Sequence, residues 1–311
     1  MKPKVLCVAG PTASGKSALG MELAGRLNGE IVCMDSMQVY RRMDIGTAKP
    51  TRAERAQITH HLVDILEPWE QYTAAQYAAD ALQALEAVTA RGKVPVLVGG
   101  TGFYLSALTQ GLTLGGVRSN RAYRDNLKAM AQDDEGKQKL HAMLAAVDPV
   151  SAGRLHPNDI TRVSRALEVY RFTGAPLSAQ ARPERELPFD LCILGTDLER
   201  AALYARINAR VLQMMTDGLL TEVEQLLQAG VSPQAQAMQG IGYKELVPVL
   251  SGQRPLSEAV SEIQQNTRRY AKRQWTWFRR NGAVRWLNMA QPGSQTEALQ
   301  IARQFLEGRE V

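Results

Sequence analysis

The sequence predicts an α/β fold, a parallel sheet flanked by helices, with a purely helical segment inserted into it. Three observations predict this. The apolar run Val5-Leu6-Cys7-Val8-Ala9 leads into Gly10-Pro11-Thr12-Ala13-Ser14-Gly15-Lys16-Ser17 and then into a helical stretch, the order strand, glycine-bearing loop, helix. Buried-strand runs alternate with helical runs through the first third of the chain, as βαβ units do. A charged stretch without long strand runs follows, before Phe189-Asp190-Leu191-Cys192-Ile193-Leu194-Gly195 restores the strand pattern.

The loop reads G-x-x-x-x-G-K-S. Its glycines let backbone N–H groups converge on phosphate oxygens, and the helix N-terminus behind it adds partial positive charge. Lys16 supplies a point charge between phosphates, and Ser17 a hydroxyl suited to magnesium. The fold class is therefore a P-loop NTPase-like parallel sheet flanked by helices, with a helical insertion domain. The helix after the loop is expected to reach about Asn28. Glu30-Ile31-Val32-Cys33-Met34 reads as a second strand, ending in Asp35-Ser36-Met37-Gln38-Val39-Tyr40. Ligands gather at the carboxyl ends of strands in such sheets, which puts Asp35 beside the phosphate loop. The plain alternative for Asp-Ser is a turn or helix cap.

His60-His61-Leu62-Val63-Asp64-Ile65 is expected to form a short third strand, and Tyr72 to Arg91 a long helix stopped near Gly92. Lys93-Val94-Pro95-Val96-Leu97-Val98 is a buried-strand run ending in Gly99-Gly100-Thr101-Gly102-Phe103-Tyr104-Leu105. This turn brings backbone close to the ligand and sets the Thr101 hydroxyl at its tip. P-loop ATPases usually place a magnesium-binding Asp there; Gly-Gly-Thr weakens the ATP-hydrolase reading and leaves a kinase open. From about Leu114 the composition changes, and Gly115-Gly116-Val117-Arg118-Ser119-Asn120-Arg121 opens the insertion. Within it Asp159 caps a helix that carries Arg162 and Arg165 on one face. The expected division is a core of 1–114 and 187–311, with C-terminal helices, and a helical insertion of 115–186. After the strand at 189–195 the remainder is read as helices: Ala201 to Thr216, Thr221 to Gln228, Tyr243 to Leu250, and a long basic helix from Ser257.

With 311 residues, 45% hydrophobic and 22% charged, the chain has the composition of a soluble globular protein. No apolar run approaches the ~18 residues of a membrane span, and the first strand starts too early for a signal peptide. Cys7, Cys33 and Cys192 sit singly in strand-like runs, so buried thiols in a reducing cytoplasm are expected. The four histidines lack metal-site spacing to them. The net charge of +6 has one source. Between Ile263 and Thr296 there is no acidic residue, against Arg268, Arg269, Lys272, Arg273, Arg279, Arg280 and Arg285. The same segment holds Tyr270, Trp275, Trp277, Phe278 and Trp286. Basic residues interleaved with aromatics suit a polyanion with stackable bases, while aromatics at helical spacing also suit a core beneath a solvated face.

The ordered set resembles the bacterial tRNA dimethylallyltransferases, also called tRNA isopentenyltransferases. The matching stretches are 10–17, DSMQVY at 35–40, DIGTAK at 44–49, HHLVD at 60–64, VGGTGFYL at 98–105, 156–174, 206–218, GIGYKE at 240–245 and KRQWTWFR at 272–279. They span nearly the whole chain in family order. The stretch from Gly111 to Arg121 departs from the proline-containing pattern of the family. The resemblance implies transfer of a dimethylallyl group from dimethylallyl diphosphate to N6 of the adenosine 3′-adjacent to the anticodon, with release of diphosphate. It implies Asp35 as the group that orients the amine and takes its proton, and Thr101 as a hydrogen-bond donor near the bridging oxygen. Residues Gly10, Pro11, Thr12, Ala13, Ser14, Gly15, Lys16 and Ser17, with Arg210, would hold the diphosphate, and Ser17 the Mg2+. Contacts to tRNA would come from Asp35, Ser36, Met37, Gln38 and Thr101, and in the insertion from Tyr123, Asp159, Ile160, Thr161, Arg162 and Val163. Two further groups complete the set: Gly240, Ile241, Gly242, Tyr243, Lys244 and Glu245, then Arg273, Gln274, Trp275, Thr276, Trp277, Phe278, Arg279 and Arg280. The implied partners are the tRNA anticodon stem-loop and dimethylallyl diphosphate, with no membrane and the chain as a monomer. The alternatives are a P-loop small-molecule or nucleotide kinase, which leaves the basic-aromatic segment without a role, and an RNA-binding protein whose loop senses nucleotide.

Overall fold

A computed structural model of the chain describes residues 2–110, 120–179 and 186–309. Strand β1 (Lys4–Ala9) runs into the glycine loop and helix α1 (Lys16–Arg26), followed by β2 (Gly29–Cys33). Helix α2 (Arg52–Gln57) starts at Thr51 and α3 (Ala74–Ala90) at Thr73. Both threonines form capping boxes, with Glu54 and Gln76, which satisfy free N–H groups of the first turn. Between them β3 is only His60–His61, shorter than the six residues expected. Leu62 and Asp64 adopt left-handed backbone (φ 61° and 57°), which breaks the ladder. The Asp64 carboxylate is held there by Lys49 and Arg55. Strand β4 (Val94–Gly99) and α4 (Gly102–Gln110) complete this half.

The helices α5 (Arg121–Met130), α6 (Asp134–Val147), α7 (Pro149–Arg154) and α8 (Ile160–Thr173) come next, then β5 (Asp190–Asp197). Helices α9 (Arg200–Thr216), α10 (Leu219–Gln228), α11 (Tyr243–Leu250) and α12 (Leu256–Arg279) follow it. The chain ends in β6 (Val284–Asn288) and α13 (Ser294–Glu307). Strand β6 corrects the expectation that everything after β5 is helical. It pairs with β5, from Ile193↔Val284 to Asp197↔Asn288, so its extended state is set by a partner about ninety residues away rather than by its own short, basic-aromatic sequence.

All six strands are parallel, in the order β3-β2-β4-β1-β5-β6. The first βα unit thus lies centrally, with β4 and β5 on either side of β1, and their carboxyl ends meet at the glycine loop: Ala9 is in register with Gly99 and with Gly195. This is the crevice where doubly wound sheets take ligands. Leu6, Val8, Leu19, Leu23, Ile31, Val96, Val98 and Leu194 join Ala298 and Ala302 of α13 in the core beside the sheet. Burying such side chains stabilises by about 1.5–3 kcal/mol each.

By contacts the chain divides into Met1–Thr109 with Glu186–Val311, and Gln110–Arg185. The second unit packs Leu127, Leu140, Leu144, Val163, Ala166 and Leu167 into a core of its own. The expected start of the insertion, 115–119, lies outside the described residues, as do 180–185 just before its expected end at 186. No helix among the described residues is long and apolar enough to cross a membrane.

Candidate active site

The glycine loop is shaped from outside its own sequence. Gly10 has φ 151°, and a Cβ there would lie 2.4 Å from Thr196 Oγ1 of β5, so only glycine fits. Ser14 Oγ shares a 2.5 Å hydrogen bond with Thr196 Oγ1 and donates to Pro11 O at 2.8 Å. The first turn of α1 has no side-chain cap and no acidic residue, which leaves its N–H groups and dipole open to an anion. Lys16 Nζ lies 3.3 Å from Pro11 O. Burial pushes the Lys16 amine down to about 8; Asp35 opposes this and Arg210 adds to it. Ser17 is exposed.

A cavity of about 560 Å³ opens at these strand ends. Lys16 and Ser17 line it from the loop, Asp35, Ser36, Met37 and Gln38 from the end of β2, Arg210 from α9 and Arg273 from α12. Arg210 is open to solvent within the cavity, so the downward shift that surrounding protein gives its guanidinium leaves it charged. Cations thus outnumber carboxylates in the lining, where Lys16, Lys49, Arg210, Lys244 and Arg273 accompany Asp35 and Glu54. Asp35 serves both readings of its sequence context. Its Oδ1 accepts from the N–H of Met37 (2.9 Å) and of Gln38 (3.4 Å), while the side chain borders the cavity. Gln38 is committed elsewhere: its amide donates to Thr47 O (3.0 Å) and Ala48 O (3.1 Å) and accepts from Cys33 Sγ. Thr101 Oγ1 accepts from Ser36 N at 3.2 Å, which ties the β4 turn to the segment bearing Asp35. It is not among the residues that line the cavity. Tyr270 of α12 lies against it, its phenol pushed up by burial.

The residues expected to contact tRNA separate by burial. Lys244, Arg273, Thr276, Arg279 and Arg280 are exposed, and Gly240, Ile241 and Lys244 border the cavity. Arg279 is engaged within the protein, 4.1 Å from the Trp275 ring and 3.3 Å from Asp197 Oδ2. In the second unit Thr161 and Arg162 are exposed, and Asp159 caps α8 while pairing with Arg162 at 2.6 Å. Ile160 is half-buried, and Tyr123 meets Phe172 edge-on. Four residues are corrected: Val163, Glu245, Gln274 and Phe278 are buried and do not line the cavity, which removes their side chains from direct contact with a macromolecule, whereas Gly242 and Tyr243, also buried, do line it. Val163 and Phe278 fill cores, Tyr243 donates to Glu222 at 2.6 Å, and Glu245 caps α11 through Gly242 N at 2.8 Å. The aromatics of α12 also turn inward: Trp277 packs on Gly102 and meets Phe278 edge-on. The basic face is real; of the aromatics beneath it Phe278 is core, and Tyr270, Trp275, Trp277 and Trp286 are half-buried.

Sequence reasoning missed Glu222, whose carboxylate accepts from the N–H groups of Asp44 and Ile45 (both 2.8 Å) and Gly46 (3.1 Å), besides Tyr243. It thereby joins two segments of cavity wall. Alone in a helix, a glutamate carries no signal of this. Thr196 was also missed; its only local mark is its place at the end of a strand.

A family model, IPPT (IPP transferase), matches residues 38–281. A tRNA dimethylallyltransferase of Pelotomaculum thermopropionicum is 47% identical over 93% of this chain and 91% of its own length. One from Geobacter metallireducens is 49% identical over 92% of this chain and 93% of its own. Among solved structures, the tRNA isopentenylpyrophosphate transferase of Bacillus halodurans superposes with TM-score 0.72 at 40% identity, covering 99% of this chain and 96% of that one. A eukaryotic dimethylallyltransferase acting on tRNA superposes with TM-score 0.82 at 31% identity, covering 99% and 81%.

Proposed function

The chain belongs to the IPP transferase family, and on that premise we propose that the cavity at its strand ends is where a dimethylallyl group passes from dimethylallyl diphosphate to tRNA. The chain modifies tRNA by prenyl transfer. The kinase alternative is not favoured, since the relatives carry prenyl-transfer names. One observation supports the site assignment above others: a single cavity is lined both by Lys16 and Ser17 of the phosphate loop and by Asp35.

The acceptor is N6 of the adenosine 3′-adjacent to the anticodon. Its lone pair, delocalised into the ring, attacks the allylic carbon; the carbon–oxygen bond breaks and diphosphate leaves with the electron pair. Asp35 accepts a hydrogen bond from the amine, orients it and takes its proton. The N–H groups at the start of α1, with Lys16 and Arg210, stabilise the negative charge that grows on the departing oxygens. Thr101, joined to the Asp35 segment through Ser36 N, sets the line of attack. No group of three His, Cys, Asp or Glu able to hold a metal occurs among the described residues. Magnesium takes hard oxygen ligands, and the exposed Ser17 hydroxyl at the start of α1 would hold the ion beside the diphosphate. Such an ion, when bound, offsets the charge of the leaving group. A base inside an anticodon loop must be extruded to reach Asp35, and the exposed cations of α12 hold the surrounding backbone; in the second unit the exposed Arg162 is a separate contact to tRNA backbone. The chain works as a monomer in the cytoplasm, where thiols such as Cys7, Cys33 and Cys192 stay free.

The test is direct. Incubation with bulk tRNA, labelled dimethylallyl diphosphate and magnesium should transfer label to tRNA. Label that stays free while ATP is consumed would reject the reading in favour of a kinase.

A further inference from the structure

Gln274 sits on α12 between Lys272, Arg273 and Thr276, which are exposed, yet it is itself 5% exposed. Its amide reaches inward between the two strand-end loops that meet at the cavity. Oε1 accepts from the N–H of Thr12 in the phosphate loop at 2.8 Å, and Nε2 donates to the carbonyl of Gly100 in the β4 turn at 2.8 Å. The amide orientation follows from its partners, one being only a donor and the other only an acceptor. The fit is close. A Cβ on Gly100 would lie 2.1 Å from Nε2, and 3.2 Å from Gly10 O in the opposing loop. Gly100 immediately precedes Thr101, and Tyr270, one helical turn before Gln274, lies against both Thr101 and Gln274.

We propose that Gln274 is a positioning residue for the transfer, fixing the distance between the loop that holds the diphosphate and the turn that carries Thr101. The two loops belong to different strands, and among the described contacts the Gln274 amide is the side chain that bridges them. With its N–H already donated to Gln274, Thr12 leaves the uncapped N–H groups at the start of α1 to meet the anion. Losing the bridge should therefore disturb alignment more than affinity. Misplacement by about 1 Å can cost roughly 10²-fold in rate. A residue buried under the basic face should also leave tRNA affinity nearly untouched.

This inference rests on the prenyl-transfer reading. Label transfer by the wild-type chain establishes that reading first, so a failure of the variants is read separately. Two substitutions test it with tRNA, dimethylallyl diphosphate and magnesium, each variant checked for its fold by circular dichroism. Gln274→Leu keeps the volume and removes both hydrogen bonds. Its kcat should fall by roughly 10- to 100-fold, while the Kd for inorganic diphosphate and for tRNA each change by less than about threefold. A kcat within about threefold of wild type, or a diphosphate Kd that rises as far as kcat falls, would overturn the proposal. Gln274→Glu decides the matter if the leucine variant does not fold. Its protonated carboxyl can accept from Thr12 N–H and donate to Gly100 O as the amide does, whereas the ionised form sets two acceptors against each other; burial raises its pKa. The rate of Gln274→Glu, divided by the wild-type rate at each pH to cancel the titration or charge of Tyr270, Arg273, Asp35 and Lys16 nearby, should rise as pH falls from about 8 towards about 6. A ratio that does not change with pH refutes the bridging role, because a merely structural defect in a folded enzyme has no reason to be repaired by one proton.

Discussion

Removing the Glu222 carboxylate should cost the protein a large part of its stability, and the amount follows from what the carboxylate holds. Three backbone N–H groups and one phenol converge on it, at 2.6–3.1 Å, and the residue is 9% exposed. In Glu222→Ala all four donors lose their acceptor. An unsatisfied buried donor costs about 1–3 kcal/mol, but water entering the vacated space beside the cavity restores part of it. The expected loss is about 3–5 kcal/mol, against a total of about 5–15 kcal/mol for a typical domain. Tyr243→Phe removes one donor and leaves the carboxylate with three, so about 1–2 kcal/mol is expected. The double variant should be less destabilised than the sum of the singles, by about 1 kcal/mol or more, because Tyr243→Phe removes a hydroxyl that Glu222→Ala has already orphaned. Urea denaturation with unchanged slopes measures all three. A Glu222→Ala loss under about 1 kcal/mol, or strict additivity, would refute the claim that this carboxylate holds the loop at 44–46 against α11.

Three other outcomes are expected. Lys16 is held at about 8 by burial, partly opposed by Asp35 and reinforced by Arg210, so it loses its proton as pH rises through that value. The ratio of inorganic diphosphate Kd between Lys16→Met and wild type, which cancels the ligand's own titration, should shrink across about pH 7 to 9; a constant ratio contradicts a charge role for Lys16. Asp35→Asn keeps an acceptor for Met37 N–H but cannot take a proton, so turnover should fall by ~10² or more, as it should for Thr101→Ala, with tRNA affinity little changed. Near-normal turnover in either variant removes that residue from the mechanism. Burial alone would raise the Glu30 carboxyl, but hydrogen bonds from Arg91, His61 and Lys93 outweigh it and hold the group at about 2, below its usual 4.5. Its stabilisation is complete above about pH 4.5 and lost as pH falls towards about 2. Thermal melts of Glu30→Gln should show a lower Tm at neutral pH and a smaller loss over that acid range; parallel curves for variant and wild type would contradict the pairing.

Much of the site was legible because its parts are local. Strand, glycine loop and helix follow one another within the first 26 residues, and Asp35 and Thr101 each stand directly after a buried strand, so the parallel fold brings them to one edge. Helix α11 was expected at its observed bounds, since hydrophobic spacing and capping act within a few residues. The basic helix was legible as charge but not as orientation. Composition alone leaves open which way Trp277, Phe278 and Gln274 point.

By itself, then, the sequence determined five of the six strands, the phosphate loop and the family, through patterns that close within one βα unit. Tertiary structure alone decided which residues hold those parts in place. Thr196 meets Ser14 across 182 positions, Gln274 meets Thr12 across 262, and Glu222 meets Asp44 across 178. None of these contacts leaves a local pattern, because a hydrogen bond between distant segments asks of each residue only a donor or an acceptor, which surface residues carry as well.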